Sequence, residues 1–137
     1  MKFNPYFVLK NQASEAIEMY SKAFNGESTI MKFCDAPKTE DYEMPEEYKH
    51  LVMYGEVKIK NFSIMISDMP MEDQIIGTNV STAVNFNNAE ELLHAYEILK
   101  VDGNVPMEPQ SSFFANLYSM LSDKFGNQWQ LIYKDEK

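Results

Sequence analysis

Residues 7–25 read FVLKNQASEAIEMYSKAFN, and residues 83–101 read AVNFNNAEELLHAYEILKV. Each is a short apolar run leading into a segment whose apolar residues recur three and four apart, the pattern of a strand followed by an amphipathic helix. At a constant offset of 76, Asn11, Ala13, Glu15 and Tyr20 fall on Asn87, Ala89, Glu91 and Tyr96. Four identities in ten positions suggest that the chain repeats one supersecondary unit.

Working outward from that pair, Ala13, Ala16, Ile17, Tyr20 and Phe24 form one stripe and Leu92, Ala95, Tyr96 and Leu99 the other, which predicts helices near residues 13–24 and 89–100. Asn11 ahead of Glu15 and Asn88 ahead of Glu91 supply N-cap chemistry. Gly26 stops the first helix, and Asp102-Gly103 closes the second. Three β-like segments follow each helix: 28–33, 51–58 and 62–67, then 104–107, 115–122 and 128–133. The expected fold is therefore α+β, with two tandem βαβββ modules. Glu56 to Lys60 alternates like a strand with one wet face, and Gly55 reads as a bulge. Asp35 to Tyr48 reads as a polar excursion. The chain is expected to be a single domain (1–137), with module 1 at about 1–68, a linker at 69–79 and module 2 at about 80–137.

Composition narrows the class of function. A chain with net charge -9 and a pI near 4.6 repels phosphate backbones and anionic lipid, so neither nucleic acid nor membrane is an expected partner. The single cysteine, Cys34, allows no intrachain disulfide and no cysteine-based zinc site. Polar residues Lys10 and Asn11 interrupt the N-terminal apolar run, and no apolar run is long enough to span a bilayer; the expected location is the cytoplasm.

Residues 123–132, DKFGNQWQLI, closely resemble the D-x-F-G-x-x-W signature of the PhnB-like branch of the vicinal-oxygen-chelate (glyoxalase/bleomycin-resistance/dioxygenase) superfamily. The opening PYFVLKNQASEAIEMYSKAFNGE and the strand IMISD at residues 64–68 are similar to two further motifs of that branch, in family order. The resemblance implies a cupped mixed sheet, commonly a homodimer, and ligand pockets within the curved sheets. It also implies, in the superfamily's enzymes, one divalent metal held by His and Glu side chains. Carried over position by position, the ligand sites fall at Pro5, Ser81, Ile64-Met65 and Gln130, and a histidine frequent in the branch is replaced by Tyr54. Only Gln130 offers a side-chain oxygen of the usual kind, so no metal and no other cofactor is expected. Members of the branch are also described as demethylubiquinone methyltransferase-like. The five glycines are scattered and form no loop for a nucleotide-like cofactor, so that activity is disfavoured.

The ligand-pocket candidates are Tyr54, Glu56, Phe114, Trp129 and Gln130, with Phe113 and Tyr118 as further aromatic lining. Tyr54 is expected to face the cavity alongside Gln130 and Trp129. Glu56 and Asp68 are candidates for paired carboxylates, against the plainer reading of solvated strand-end acids. His94 reads as a surface histidine on the outward face of its helix; His50 precedes a strand and reaches a pocket only through a register slip. The leading expectation is metal-independent binding of a small molecule by a homodimer. The alternative is a metal-dependent lyase or dioxygenase-like enzyme using His50, Glu56 and Gln130.

Overall fold

A computed structural model describes residues 1–36, 45–69 and 73–135 of the chain. Most of the polar excursion and part of the linker therefore lie outside the described residues. The elements are β1 (Tyr6–Leu9), α1 (Ala13–Phe24), β2 (Glu27–Lys32), β3 (Val52–Ile59), β4 (Phe62–Asp68), β5 (Thr82–Phe86), α2 (Ala89–Leu99), β6 (Asn104–Gln110), β7 (Leu117–Ser122) and β8 (Gln128–Tyr133). Short 3-10 turns at Phe33–Asp35 and Glu46–Tyr48 lie between β2 and β3. Two compact units result, one of Met1–Ser21 with Asn25–Gln74, the other of Lys22–Phe24 with the chain from Ile75 onward. The βαβββ order appears twice, and Ala13 and Ala89, paired by the repeat, are each the first residue of a helix.

Unit 1 carries a mixed sheet ordered β1-β4-β3-β2, in which β1 runs parallel to β4 and the other pairs are antiparallel. Strand alternation divides its side chains between two faces. On the covered face, Ile17 of α1 lies so close over Gly55 that a Cβ there would overlap its side chain, and the ring of Phe7 meets that of Tyr20 at 5.9 Å. Val57, Ile64 and Ile66 complete this core, each 5% exposed or less. Gly55 is thus a point of close approach and not the expected bulge, and it pairs regularly with Ile30; the register shifts further along, where Met31 faces Tyr54 and Lys32 faces Val52. The other face, the open one, carries Tyr6, Tyr54, Glu56, Lys58, Ser63, Met65 and Ser67.

Unit 2 repeats the plan as β5-β8-β7-β6, with β5 parallel to β8. Ser119, Leu121, Trp129 and Leu131 form its covered face, all 2% exposed or less, with Leu92, Ala95 and Leu99 of α2 also fully buried. Phe24, which belongs to this unit, packs its ring 5.3 Å from Trp129 and 6.4 Å from Phe86. Tyr118, Met120 and Gln130 lie on the open face.

The helix ends depart from expectation in an informative way. Asn88 caps α2 as its sequence suggests, its Oδ1 accepting from the Glu91 N–H at 2.8 Å. Asn11 does not cap α1: it adopts a left-handed φ of 58°, and the cap position is Gln12, whose side chain makes no capping bond. At the other end the left-handed residue is Asn25, not Gly26, just as Asp102 takes φ 59° ahead of Gly103. In both modules the glycine is instead required by close approach to the neighbouring hairpin, Gly26 against Val57 and Lys58, Gly103 against Ser122 and Asp123.

Candidate binding faces

Two aspartates that stand in the recognisable motifs are structural. Asp68, at the end of β4, is 4% exposed; its Oδ1 accepts from the N–H groups of Gln12 and Ala13, and its Oδ2 from Val52, each at 3.0 Å. It caps α1 from another element, placing an anion where the helix exposes its unsatisfied N–H groups. Asp68 therefore points to the covered side, away from Glu56, and the two do not form a carboxylate pair. Asp123 is also 4% exposed and accepts from the N–H groups of Phe125 and Asn127 at 3.0 Å and from the Trp129 indole Nε1 at 2.9 Å. Gly126 sits in that turn at φ +90°, a conformation side-chain-bearing residues rarely adopt. These three positions account for the D, G and W of the signature through folding alone.

The polar chemistry of unit 1 collects on its open face. Tyr54 donates its phenolic proton to Glu56 Oε2 at 2.6 Å, and Ser63 donates to Oε1 at 3.1 Å. Tyr54 and Glu56 are two apart on β3 and so share a face; Ser63 stands across on β4, where it pairs with Lys58. Close by, Tyr6 donates to Ser67 Oγ at 3.0 Å. The bonds from Tyr54 and then Ser63 hold the Glu56 carboxyl below the ordinary range, with Lys58 and Lys2 assisting. The same bond, chiefly, raises the Tyr54 phenol above its usual value. At neutral pH the pair is a carboxylate and a neutral phenol.

Unit 2 builds a neutral counterpart. Tyr118 donates to Gln130 Oε1 at 2.5 Å, and Gln130 Nε2 donates to Ser81 Oγ at 2.7 Å. This chain fixes the amide orientation and leaves the Ser81 hydroxyl proton available to an acceptor. Phe114 meets the Tyr118 ring edge-on at 4.9 Å and Phe113 at 5.3 Å. Phe114 is 43% exposed and Phe113 fully so.

Of the five pocket candidates, Tyr54 and Glu56 are brought together in unit 1, and Phe114 and Gln130 stand near Tyr118 in unit 2. Trp129 is placed otherwise. Only 1% of it is exposed, and it lies on the covered face of β8, one residue and therefore one face away from Gln130. Strand alternation alone separates the two. Ser63 and Ser81 complete the polar groups and were not singled out as hydrogen-bond partners; the alternation of FSIMISD puts Ser63 on the face of Met65, whereas nothing local marks Ser81.

The metal implied by the superfamily does not fit the residues present. Pro5 offers no side-chain donor, and its carbonyl accepts from the Met65 N–H at 2.9 Å. Met65 is a weak, soft ligand, and Ser81 and Gln130 are bonded to one another. His50 is exposed in the turn before β3, and His94 is exposed, with its Nε2 2.9 Å from the Lys22 carbonyl oxygen. Cys34 is exposed and free. Among the described residues no group of three or more His, Cys, Asp or Glu side chains is placed to hold a metal ion. No helix among them is long and apolar enough to cross a membrane.

Comparison with known proteins agrees with the fold. Residues 1–132 match the family described as 3-demethylubiquinone-9 3-methyltransferase. Protein PA1353 from Pseudomonas aeruginosa has a similar structure, with a TM-score of 0.85 at 23% identity over 98% of each chain. A protein from Bacillus cereus described as a putative 3-demethylubiquinone-9 3-methyltransferase, PhnB protein, gives a TM-score of 0.76 at 22% identity, covering 97% of this chain and 99% of that one. The fosfomycin resistance protein FosX from Listeria monocytogenes, in a variant complexed with manganese(II) and 1S,2S-dihydroxypropylphosphonic acid, gives 0.64 at 13% identity over 98% and 93%.

Proposed function

Because the chain belongs to the family described as 3-demethylubiquinone-9 3-methyltransferase, in the PhnB-like branch of the vicinal-oxygen-chelate superfamily, we propose that it is a metal-independent binder of small organic molecules. The ligand lies on the open faces of the sheets. The observation that carries this reading is the replacement of metal donors by closed hydrogen-bonded groups, Tyr54 with Glu56 and Ser63, and Tyr118 with Gln130 and Ser81. Each group presents directional polar atoms beside apolar lining, Met65 in one unit, Phe114 in the other, which suits binding and orientation. Methyl transfer is not part of the proposal: Gly26, Gly55 and Gly103 serve close packing and Gly126 a turn, so they form no cofactor loop.

The protein is proposed to act as a homodimer. All six residues of the edge strand β2 are exposed, as are Ile75 (91%) and Val80 (73%), and such edges and apolar residues favour pairing with a second copy. Light scattering at micromolar concentration gives a dimer mass; a monomer refutes this part. Metal content after dialysis tests the rest. Nickel, zinc, iron and manganese are expected well below one equivalent, and binding of any ligand found by screening is expected to persist in chelator. A stoichiometric metal that survives dialysis, or complete loss of binding with chelator, overturns the proposal.

A further inference from the structure

A surface groove of about 690 Å³ lies on unit 1 where the β3–β4 hairpin meets the N-terminal residues, lined by Lys2, Phe3, Lys58, Lys60, Asn61 and Phe62 among others. Three of the 12 cationic residues of a chain with net charge -9 line it, together with two aromatic residues, Phe3 and Phe62, that are 87% and 70% exposed. Lys58 shares the open face of β3 with Glu56.

Lys60 adds an independent observation. It occupies the two-residue turn Lys60-Asn61 between β3 and β4 with a left-handed φ of 52°. Glycine or asparagine adopts that conformation with less strain, so Lys60 stands there against the local backbone preference. Strain of this kind concentrates where a side chain is needed for function. The exposed rings offer large flat apolar area, and three lysines lining one groove offer a charge that no single surface lysine supplies.

We propose that this groove binds a flat organic anion, an aromatic carboxylate or sulfonate, with its ring against Phe3 and Phe62 and its charge among Lys2, Lys58 and Lys60. The groove adjoins the Glu56 group through Lys2 and Lys58 but is lined by neither Tyr54, Glu56 nor Gln130.

The test is a titration of the 15N-labelled full chain with 2-naphthoate, followed by amide shifts. Shifts are expected at residues 2–3 and 58–62, with neutral 2-naphthamide binding about fivefold or more weakly and added salt weakening the anion through screening. Lys58→Gln with Lys60→Gln is expected to lower affinity about fivefold or more while the fold holds, because each lost charge removes attraction without touching the core; signals of Glu56 move as well, since Lys58 helps hold that carboxyl low. Lys60→Gly separates function from fold: affinity falls while the melting temperature holds or rises, since the left-handed strain is relieved. Equal binding of the neutral amide, shifts centred on Tyr54 or Tyr118, or no shifts up to about 10 mM naphthoate, a concentration that detects even weak complexes, would overturn the proposal. So would lysine-dependent cosedimentation with phosphatidylserine vesicles in the absence of naphthoate binding, which would assign the groove to a membrane surface.

Discussion

The two units share one order of strands and helices and solve the same two problems with different chemistry. Each must satisfy the first turn of its helix, and each must arrange polar groups on an open sheet face. Unit 1 caps α1 with a carboxylate from β4, Asp68, which is 55 residues along the chain from Ala13 and also holds β3 through Val52. Unit 2 caps α2 locally with Asn88, and spends its buried carboxylate, Asp123, on a turn and the Trp129 indole. On the open faces the contrast is charge: Glu56 pairs in register with Met65, while at the matching rung Met120 pairs with Gln130. A tyrosine stands two residues before each β-strand position, Tyr54 and Tyr118, bonded to a carboxylate in one case and a carboxamide in the other. A repeated fold thus tolerates exchange of its polar groups as long as buried N–H groups keep an acceptor.

The sharpest way to break this comparison is to remove the two aspartates. Asp68→Ala leaves three N–H groups without their acceptor, two at the start of α1 and one on β3, and a loss of about 3 kcal/mol or more is expected in urea denaturation. Asp123→Ala, whose carboxylate holds Phe125, Asn127 and Trp129, all within six residues, is expected to cost about 2 kcal/mol, because a local turn relaxes towards water more easily. Equal losses, or a larger one at Asp123, would mean that long-range tethering adds nothing.

A smaller effect separates the helix starts. Asn88→Ala is expected to cost about 1 kcal/mol, the usual value of an N-cap side chain, whereas Gln12→Ala at the equivalent position of α1 should change stability by only a few tenths of a kcal/mol. A clear loss at Gln12 in the same denaturation assay would show that Asp68 does not suffice as the cap.

The smallest expected effect distinguishes the open faces by their response to pH. Tyr54→Phe and Tyr118→Phe should each cost about 0.5–1 kcal/mol, as expected for one hydrogen bond at a partly exposed site. Only the first should depend on acid. The Glu56 carboxyl is depressed in the folded state, so its stabilisation is present above the ordinary glutamate range and is lost as pH falls through the folded value. The difference between native protein and Tyr54→Phe should therefore shrink below about pH 4, and the Glu56 titration followed by carbon NMR should move up in the variant. For Tyr118→Phe the difference should stay flat over the same range. A flat response at Tyr54 would remove the charged character assigned to unit 1.

The sequence by itself determined what depends on neighbours along the chain. The 76-residue repeat located both helices to within one residue, and β8 at 128–133 was read to its ends, because apolar periodicity reports directly on helical and extended backbone. The pairing of Tyr54 with Glu56 was likewise accessible, since residues two apart on a strand share a face. By the same rule Trp129 and Gln130 part, and the aromatic character of Trp129, which suits a pocket as well as a core, is spent in the core. What only the tertiary structure decided are the partners that strand register brings from far away. Asp68 became a helix cap, Ser81 met Gln130 across 49 residues, and Asn11 lost the capping role its side chain invited. Those outcomes rest on hydrogen bonds between distant elements, and local pattern carries no record of which distant donor will arrive once the sheet has closed.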